Sequence, residues 1–417
     1  MKSRLLPLVF LISLATCGDQ FVRPTYAADV FTVAIDVPAW KKWGLQYPAT
    51  YVFRTAEIGP NAEVRCRNGG NSSWAKLEKK TPADFFNGVE CVRLDTSARR
   101  AYVSVGFHGS NTFQLEFTGL SGVEFESVAR YYDGRKAAYT LSNDNWGCNA
   151  WAHPGAPWKG PTHDDSDCYQ AALHVCRGFR LPLSIAINSR SAGDEAMWKI
   201  MQEELDRKDF SWEPVVHGQT HPKDAATYLV RGYRNEILGC REDILARLRN
   251  IPYGQHVYEH ILTFGYVDDT ILSLDAGEFL FVRGFNWLDN PASTGYAARN
   301  PKYGLYGVAG LNTKGYDAIL ERREPKGRYS SKDVAELNDA FDKVLQAGGV
   351  FYALWHPDRF RNSVLYDPSP GIDGQRGSTL MQHLAHVANR KDVWYVANGW
   401  LYSYRYVAEN ARVTSGR

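Results

Sequence analysis

What this sequence lacks most plainly is an excess of charge of one sign: 48 basic and 46 acidic side chains leave a formal charge of only +2. A protein held to nucleic acid by phosphate neutralisation carries a basic excess or a basic stripe, so no nucleic-acid partner is expected. Beyond the N-terminus there is no run of about 20 apolar residues, so the body of the chain is not expected to span a membrane. No two cysteines stand in a Cys-x-x-Cys spacing, which argues against a zinc knuckle or a redox pair. What the 417 residues do have is a 44% hydrophobic share, enough to bury a core and to rule out disorder, and a length that suits two domains or more.

Lys2 and Arg4 precede an apolar run from Leu5 to Ala15, and Thr25-Tyr26-Ala27 offers a small-residue exit before Ala28. Residues 1–27 therefore read as a secretory signal, with the mature protein secreted or periplasmic. The alternative is a lipobox at Leu14-Ala15-Thr16-Cys17, with the protein lipid-anchored through Cys17. The other six cysteines admit 15 pairings. Because domains close their own loops, the expected bridges are Cys66 with Cys91, Cys148 with Cys168, and Cys176 with Cys240, formed in an oxidising compartment.

From residue 28 to about 128 the chain reads as short strands, among them Tyr51 to Arg54, Val89 to Leu94, Ala101 to Val105 and Thr112 to Phe117. Gly, Asn, Asp and Pro clusters separate them, a pattern that favours an all-β sandwich. Such a module could bind sugar, cell wall or matrix, or serve only for docking. From residue 129 to 417 apolar strands alternate with amphipathic helices, for example Leu181 to Asn188, Glu195 to Arg207, Glu213 to His217 and Tyr233 to Asn250. Alternation of this kind implies parallel strands with crossovers, in a barrel or a doubly wound sheet, and places reactive groups at the C-terminal ends of strands.

Three strand ends carry suitable groups. Thr140-Leu141-Ser142-Asn143-Asp144-Asn145-Trp146 breaks from an apolar strand into an acid flanked by two amides. In Val215-Val216-His217-Gly218-Gln219-Thr220-His221-Pro222 two histidines stand four apart, and in a helical turn that spacing puts both imidazoles on one face, able to chelate one divalent metal. Tyr352-Ala353-Leu354-Trp355-His356-Pro357 ends a buried strand on a histidine.

Together these segments resemble the polysaccharide deacetylase family, carbohydrate esterase family four. Asp133 to Asn145 resembles the motif in which Thr-Phe-Asp-Asp or Ser-Phe-Asp-Asp closes the first barrel strand. His217, His221 and Pro222 resemble its His-Ser/Thr-x-x-His-Pro motif, with Gly218 in place of the hydroxyl residue. His356 is similar to the histidine of the last motif, and Val393 to Gly399 resembles the closing strand. The resemblance covers about residues 131 to 406. It implies a distorted (β/α) barrel that removes N-acetyl or O-acetyl groups from an acetylated polysaccharide or oligosaccharide with a bound divalent metal, zinc foremost. In the favoured register Asp144 is the general base, Asn145, His217 and His221 are the metal ligands, and His356 is the acid that protonates the leaving group.

The departures carry as much weight. Asn145 offers an amide where the family has a carboxylate; a register one residue different would make Asp144 the ligand and leave Asn143 at the base position. The third family motif should fall near Thr263 to Asp269, yet neither Arg nor Pro is there, which leaves Arg283 on the following strand as a substitute to orient the base. Trp146 and Trp287 are the rim candidates for substrate binding, and Arg283 is a third substrate-binding candidate. The departures also support an alternative function, a weakened barrel that binds polysaccharide, or a hydrolase of another C–N or glycosidic bond. His256 and His260 are also four apart but lack an acid motif at a nearby strand end. His383 and His386 read as surface or interhelix residues.

Overall fold

The computed structural model describes residues 28–69, 73–146, 168–190, 195–207, 210–221, 232–265, 267–284, 295–307, 313–315, 331–355 and 379–416. Among the described residues nine strands come first: β1 (Asp29–Ala34), β2 (Ala49–Arg54), β3 (Glu57–Asn68), β4 (Ala75–Lys76), β5 (Glu78–Lys79), β6 (Cys91–Asp95), β7 (Arg100–Val105), β8 (Thr112–Ser121) and β9 (Glu124–Val128). Nine of the ten that follow carry the parallel half: β10 (Ala137–Trp146), β11 (Leu183–Ile187), β12 (Trp212–Val216), β13 (Glu259–Ile261), β14 (Phe281–Arg283), β15 (Tyr306–Gly307), β16 (Thr313–Gly315), β17 (Val350–Trp355) and β18 (Val393–Tyr395). The last, β19 (Arg412–Gly416), returns to the N-terminal half and pairs antiparallel with β1.

The first half is a sandwich of two five-stranded sheets, ordered β19-β1-β8-β3-β4 and β5-β6-β7-β2-β9. Alternation along the strands sets its core: Phe31 and Val33 of β1 and Phe113, Leu115 and Phe117 of β8 meet Tyr51 and Phe53 of β2, all buried. Each inward residue alternates with a neighbour on the outer face, as the two-residue period of a pleated strand requires. The cysteine expectation is corrected here. Cys66 lies on β3 in one sheet and Cys91 on β6 in the other, and both are free, buried thiols. Cys176 and Cys240 are likewise free and buried, and the Cys240 Sγ–H donates to the Ile187 carbonyl over 3.3 Å. All four behave as small apolar side chains within the packing. Burial pushes the Cys91 thiol up to about 12 and the Cys240 thiol up to about 11. Cys148 and the side chain of Cys168 lie outside the described residues.

The second half is a curled parallel sheet ordered β15-β14-β13-β12-β11-β10-β17-β16, with β18 pairing the start of β10. Helices Cys168–Phe179, Glu195–Asp206, Gly239–Arg247, Ser331–Gln346 and Thr379–Val387 follow the strands in alternation. Among the described residues no pairing joins β15 to β16, so these strands form a curled half-barrel. Residues of one strand parity (Leu141, Leu183, Ile185, Ile187, Val216, Val282) join the cluster that packs against the helices. The other parity faces the interior. There Ala186, Val215 and Ile261 form a separate small apolar layer.

Beneath that layer lies a buried polar one. The Ser184 hydroxyl donates to Glu213 (2.8 Å), as does the Gly399 amide (2.6 Å); the Asn398 amide N–H donates to Ser184 Oγ, and the Asn398 side chain donates to Glu259 (3.0 Å). Helix Asn398–Asn410 thus closes the N-terminal end of the sheet, with its first amides satisfied by side chains from β11 and β12.

The two halves share one core and one ionic joint. Asp133, in a left-handed conformation at φ 61°, accepts from the Phe86 amide (3.1 Å), from Arg135 Nε (2.8 Å) and from Arg93, while its own amide donates to Thr50 Oγ1. Among the described residues no helix is long and apolar enough to cross a membrane.

Candidate active site

The upper interior layer is where the strand ends converge. In β10 the pairing with β11 runs from Asn143 opposite Ile185 to Trp146 opposite Ile187, so three steps on one strand face two on the other. That is a bulge, one extra residue at Asp144–Asn145, the device that re-aims side chains beside active sites. Asn143 is buried with no hydrogen bond to its amide among the described residues, whereas Asp144 joins the charged cluster. The side chains of Asn145 and Trp146 lie outside the described residues, as do Trp287 and His356; β17 ends one residue before that histidine.

Arg283, the last residue of β14, donates from Nη2 to Asp144 Oδ2 over 2.5 Å, with both side chains at most 3% exposed. Its guanidinium is thus directed at the carboxylate. Parity explains the contact: Phe281 and Arg283 share the interior face, and Arg283 lies opposite Ile261 on β13.

His217 follows β12 directly. Its Nδ1–H donates to the Ile261 carbonyl over 2.8 Å, which fixes the tautomer and leaves Nε2 as the lone-pair donor. Burial, then the neighbouring His221, pushes its pKa well below the usual imidazole range, so the ring is neutral; Asp144 acts in the opposite sense. His221 does not sit in a helical turn. Gly218 takes φ 94° and His221 φ 56°, and this tight loop, not a helix, brings the two rings to 4.9 Å between centroids. The expected same-face geometry is therefore reached by a different backbone.

The loop is braced from outside. The Gln219 amide donates to the Glu236 carbonyl (2.9 Å), and the Thr220 amide donates to the Glu236 carboxylate (2.6 Å), which the Thr220 hydroxyl also bonds. Glu236 belongs to a π-helical turn, Arg234–Leu238, and is fully buried. π-Turns of this kind are frequent at functional sites. The Asn188 side chain, just past β11, donates to the His217 carbonyl (2.9 Å). Neither Glu236 nor Asn188 was legible from motif or spacing, because each acts through loop backbone.

Phe264 was named only as part of the third-motif segment. It holds φ 55°, is 52% exposed, and its ring meets His221 edge-on at 4.8 Å. Its exposed ring leaves a face open beside the imidazole pair, and the sequence signal for it is a Phe-Gly step after a strand.

The other histidines with close spacing, His256, His260, His383 and His386, are placed elsewhere. His260, fully buried, donates from Nδ1 to both oxygens of Asp275 (2.9 and 3.0 Å), which also accepts from the Tyr233 hydroxyl. His256 packs beside Gly44 of the sandwich half. His383 and His386 bond Asn338 and Asp342 across two helices.

His217 is a neutral, carbonyl-oriented imidazole and His221 faces it, so the loop has two ring nitrogens to offer a ligand. Among the described residues no group of three or more His, Cys, Asp or Glu side chains could hold a metal ion, so Asp144, His217 and His221 do not by themselves make a metal site, and the side chain of Asn145 lies outside the described residues.

No family model and no curated protein sequence matches the chain. Among solved structures it is similar to a proposed polysaccharide deacetylase from Mycobacterium smegmatis, with 15% identity and a TM-score of 0.41 over 69% of this chain and 94% of that one. It is also similar to a proposed polysaccharide deacetylase from Bacillus anthracis (10% identity, TM-score 0.26, 59% of this chain and 85% of that one). A polysaccharide deacetylase from Bacillus cereus aligns at 8% identity and a TM-score of 0.25, over 62% of this chain and 90% of that one. Likenesses this distant decide nothing about activity, which has to be carried by the chain's own residues.

Proposed function

We propose that the chain is a metal-dependent carbohydrate deacetylase that hydrolyses N-acetyl or O-acetyl groups on a polysaccharide or oligosaccharide outside the cytoplasm. The observation that carries this reading is a buried, arginine-held carboxylate, Asp144, and an imidazole pair, His217 and His221, at the C-terminal ends of β10 and β12, the two strands that flank β11. A divalent cation, zinc in the first instance, held by His217, His221 and Asn145, would supply Lewis-acid charge to the acetyl oxygen and to a water.

The protein's own groups do the rest. Asp144 accepts the proton of the attacking water, and Arg283 keeps that carboxylate oriented and charge-balanced in a site closed to solvent. Glu236 and Asn188 hold the histidine loop. Phe264 offers a stacking face beside His221, which directs a sugar ring over the site. His356, one residue beyond β17, is assigned the proton donation to the departing nitrogen or oxygen. Export through residues 1–27, or anchoring at Cys17, and a wall- or matrix-facing sandwich belong to the same reading.

One feature favours a second reading, a barrel that binds acetylated glycan without turning it over: Asn145 brings a neutral amide to a position where a carboxylate would hold a cation more tightly. Metal analysis of the purified protein, with acetate release from acetylated glycans, separates the two. Release by wild type, lost in Asp144→Ala and lost together with bound metal in His217→Ala, supports the enzyme. Tight glycan binding with no acetate released under any added divalent metal ends it.

A further inference from the structure

Left-handed backbone at residues other than glycine is uncommon, and where it gathers it marks a place the fold holds in a special shape. Ten described residues adopt it. Two, His221 and Phe264, lie at the proposed active site. Five others, Asn87, Asp133, Arg180, Tyr253 and Asn389, line a single cavity of about 390 Å³. Asn and Asp enter this conformation readily; Arg180 and Tyr253 do not, and the surrounding structure must hold them there.

The cavity lies at the opposite end of the sheet from Asp144. Arg135, Pro182 and Ser211, each shortly before the first residue of β10, β11 or β12, face the sandwich loop that contains Phe85 and Gly88. Its floor is aromatic and buried, with Trp394 Nε1 donating to the Tyr47 hydroxyl over 3.0 Å. Its walls are the half-buried rings of Phe85, Phe179, Tyr253 and Tyr395. A Cβ at Gly88 would stand 2.0 Å from the Tyr253 hydroxyl, so only glycine lets that ring reach the wall. Between the rings sit neutral edges, Asn87, Ser211 and Asn389.

The charges sort themselves. Asp133 and Arg135 are spent on one another. Arg180, exposed at the rim, makes no ion pair among the described residues. Flat rings for C–H faces, amide and hydroxyl edges for hydroxyl groups, and one guanidinium available to a carboxylate are the recognition elements of an acidic sugar. An apolar occupant would leave the amides and Arg180 without partners. The volume falls within the roughly 300–1,000 Å³ of small-ligand sites.

We infer that this junction cleft binds a carboxylate-bearing saccharide unit, at a site separate from the proposed active site. The inference stands on the lining alone and does not require the deacetylase reading. Its role would be to hold an acidic stretch of glycan against the back of the barrel.

The test titrates the full chain with an oligoglucuronate tetramer and with its neutral oligoglucose counterpart, following tryptophan fluorescence and calorimetric heat. The acidic tetramer should bind more tightly. Arg180→Gln should weaken it about tenfold, the scale of one charge-assisted hydrogen bond, and leave the neutral sugar unchanged. Phe179→Ala should weaken both, with circular dichroism confirming that each variant is folded, and Asp144→Ala should alter neither. Absence of binding overturns the inference, as does equal affinity for the two sugars or indifference to both rim variants. Loss of binding in Asp144→Ala would assign the ligand to the active site instead and also overturn it.

Discussion

Arg283 Nη2 lies 2.5 Å from Asp144 Oδ2, and the two residues stand 139 positions apart in the sequence. Both are buried, so each is the other's means of staying charged: removing one partner of such a pair strands the other. Arg283→Met should therefore lower kcat for acetate release by about 10²-fold or more, the range contributed by a positioned base, with a smaller effect on KM. Arg283→Lys, which keeps the charge but loses the fork, should recover part of it. Steady-state kinetics on one acetylated oligosaccharide checks both. Unchanged kcat in Arg283→Met would remove Arg283 from the machinery.

Phe264 tests the substrate face. Because its ring is largely exposed, Phe264→Ala should change stability by no more than about 0.5 kcal/mol. Loss of a stacking surface should raise KM several-fold, about 0.5–1.5 kcal/mol, and leave kcat near its wild-type value. A fall in kcat with KM intact would assign the ring to the histidine loop rather than to the sugar.

The buried layer below the site makes stability depend on pH. Burial pushes Glu213 up to about 7, and burial followed by the Glu213 charge pushes Glu259 well above the carboxylate range. For Glu213 the folded value exceeds the unfolded 4.5, so its contribution is fully present below about 4.5 and is lost as pH rises through about 7. His217 runs the other way. Its pKa is depressed on folding, so its contribution is lost as pH falls below the usual imidazole value of 6.5. Thermal melts from pH 4 to 8 should show Glu213→Gln losing less stability than wild type between about 4.5 and 7. Parallel curves would refute the assignment.

Asp133 is the joint between the halves. Asp133→Ala leaves Arg93 and Arg135 facing an uncompensated, mostly buried space and removes the acceptor of the Phe86 amide. The expected cost is about 3–5 kcal/mol, read as a lower urea midpoint. Asp133→Asn, which keeps one acceptor, should cost less. A midpoint shift under 1 kcal/mol would mean that the shared core alone holds the halves together.

Much of this protein could be read from its sequence because it depends on local period. Alternation at two residues located the strands of the sandwich, alternation of strands with 3.6-residue patterns implied the parallel half, and the strand-end rule singled out the segments that hold Asp144 and His217, while His356 lies outside the described residues. The contacts that sequence leaves undecided are those made across distance. Cys66 and Cys91 have the right count for a bridge, but they sit in opposite sheets as free thiols, because pairing depends on geometry and not on number. The two histidines have helical spacing, but Gly218 and a left-handed His221 turn the chain into a loop that Glu236 then holds. The curl of the sheet sets Arg283 against Asp144, and the packing of the sandwich on the barrel gathers five left-handed residues around one cleft, since neither arrangement lies within one element's own period. Local propensity names the elements and their faces; only closing them around a common core decides which distant side chains meet.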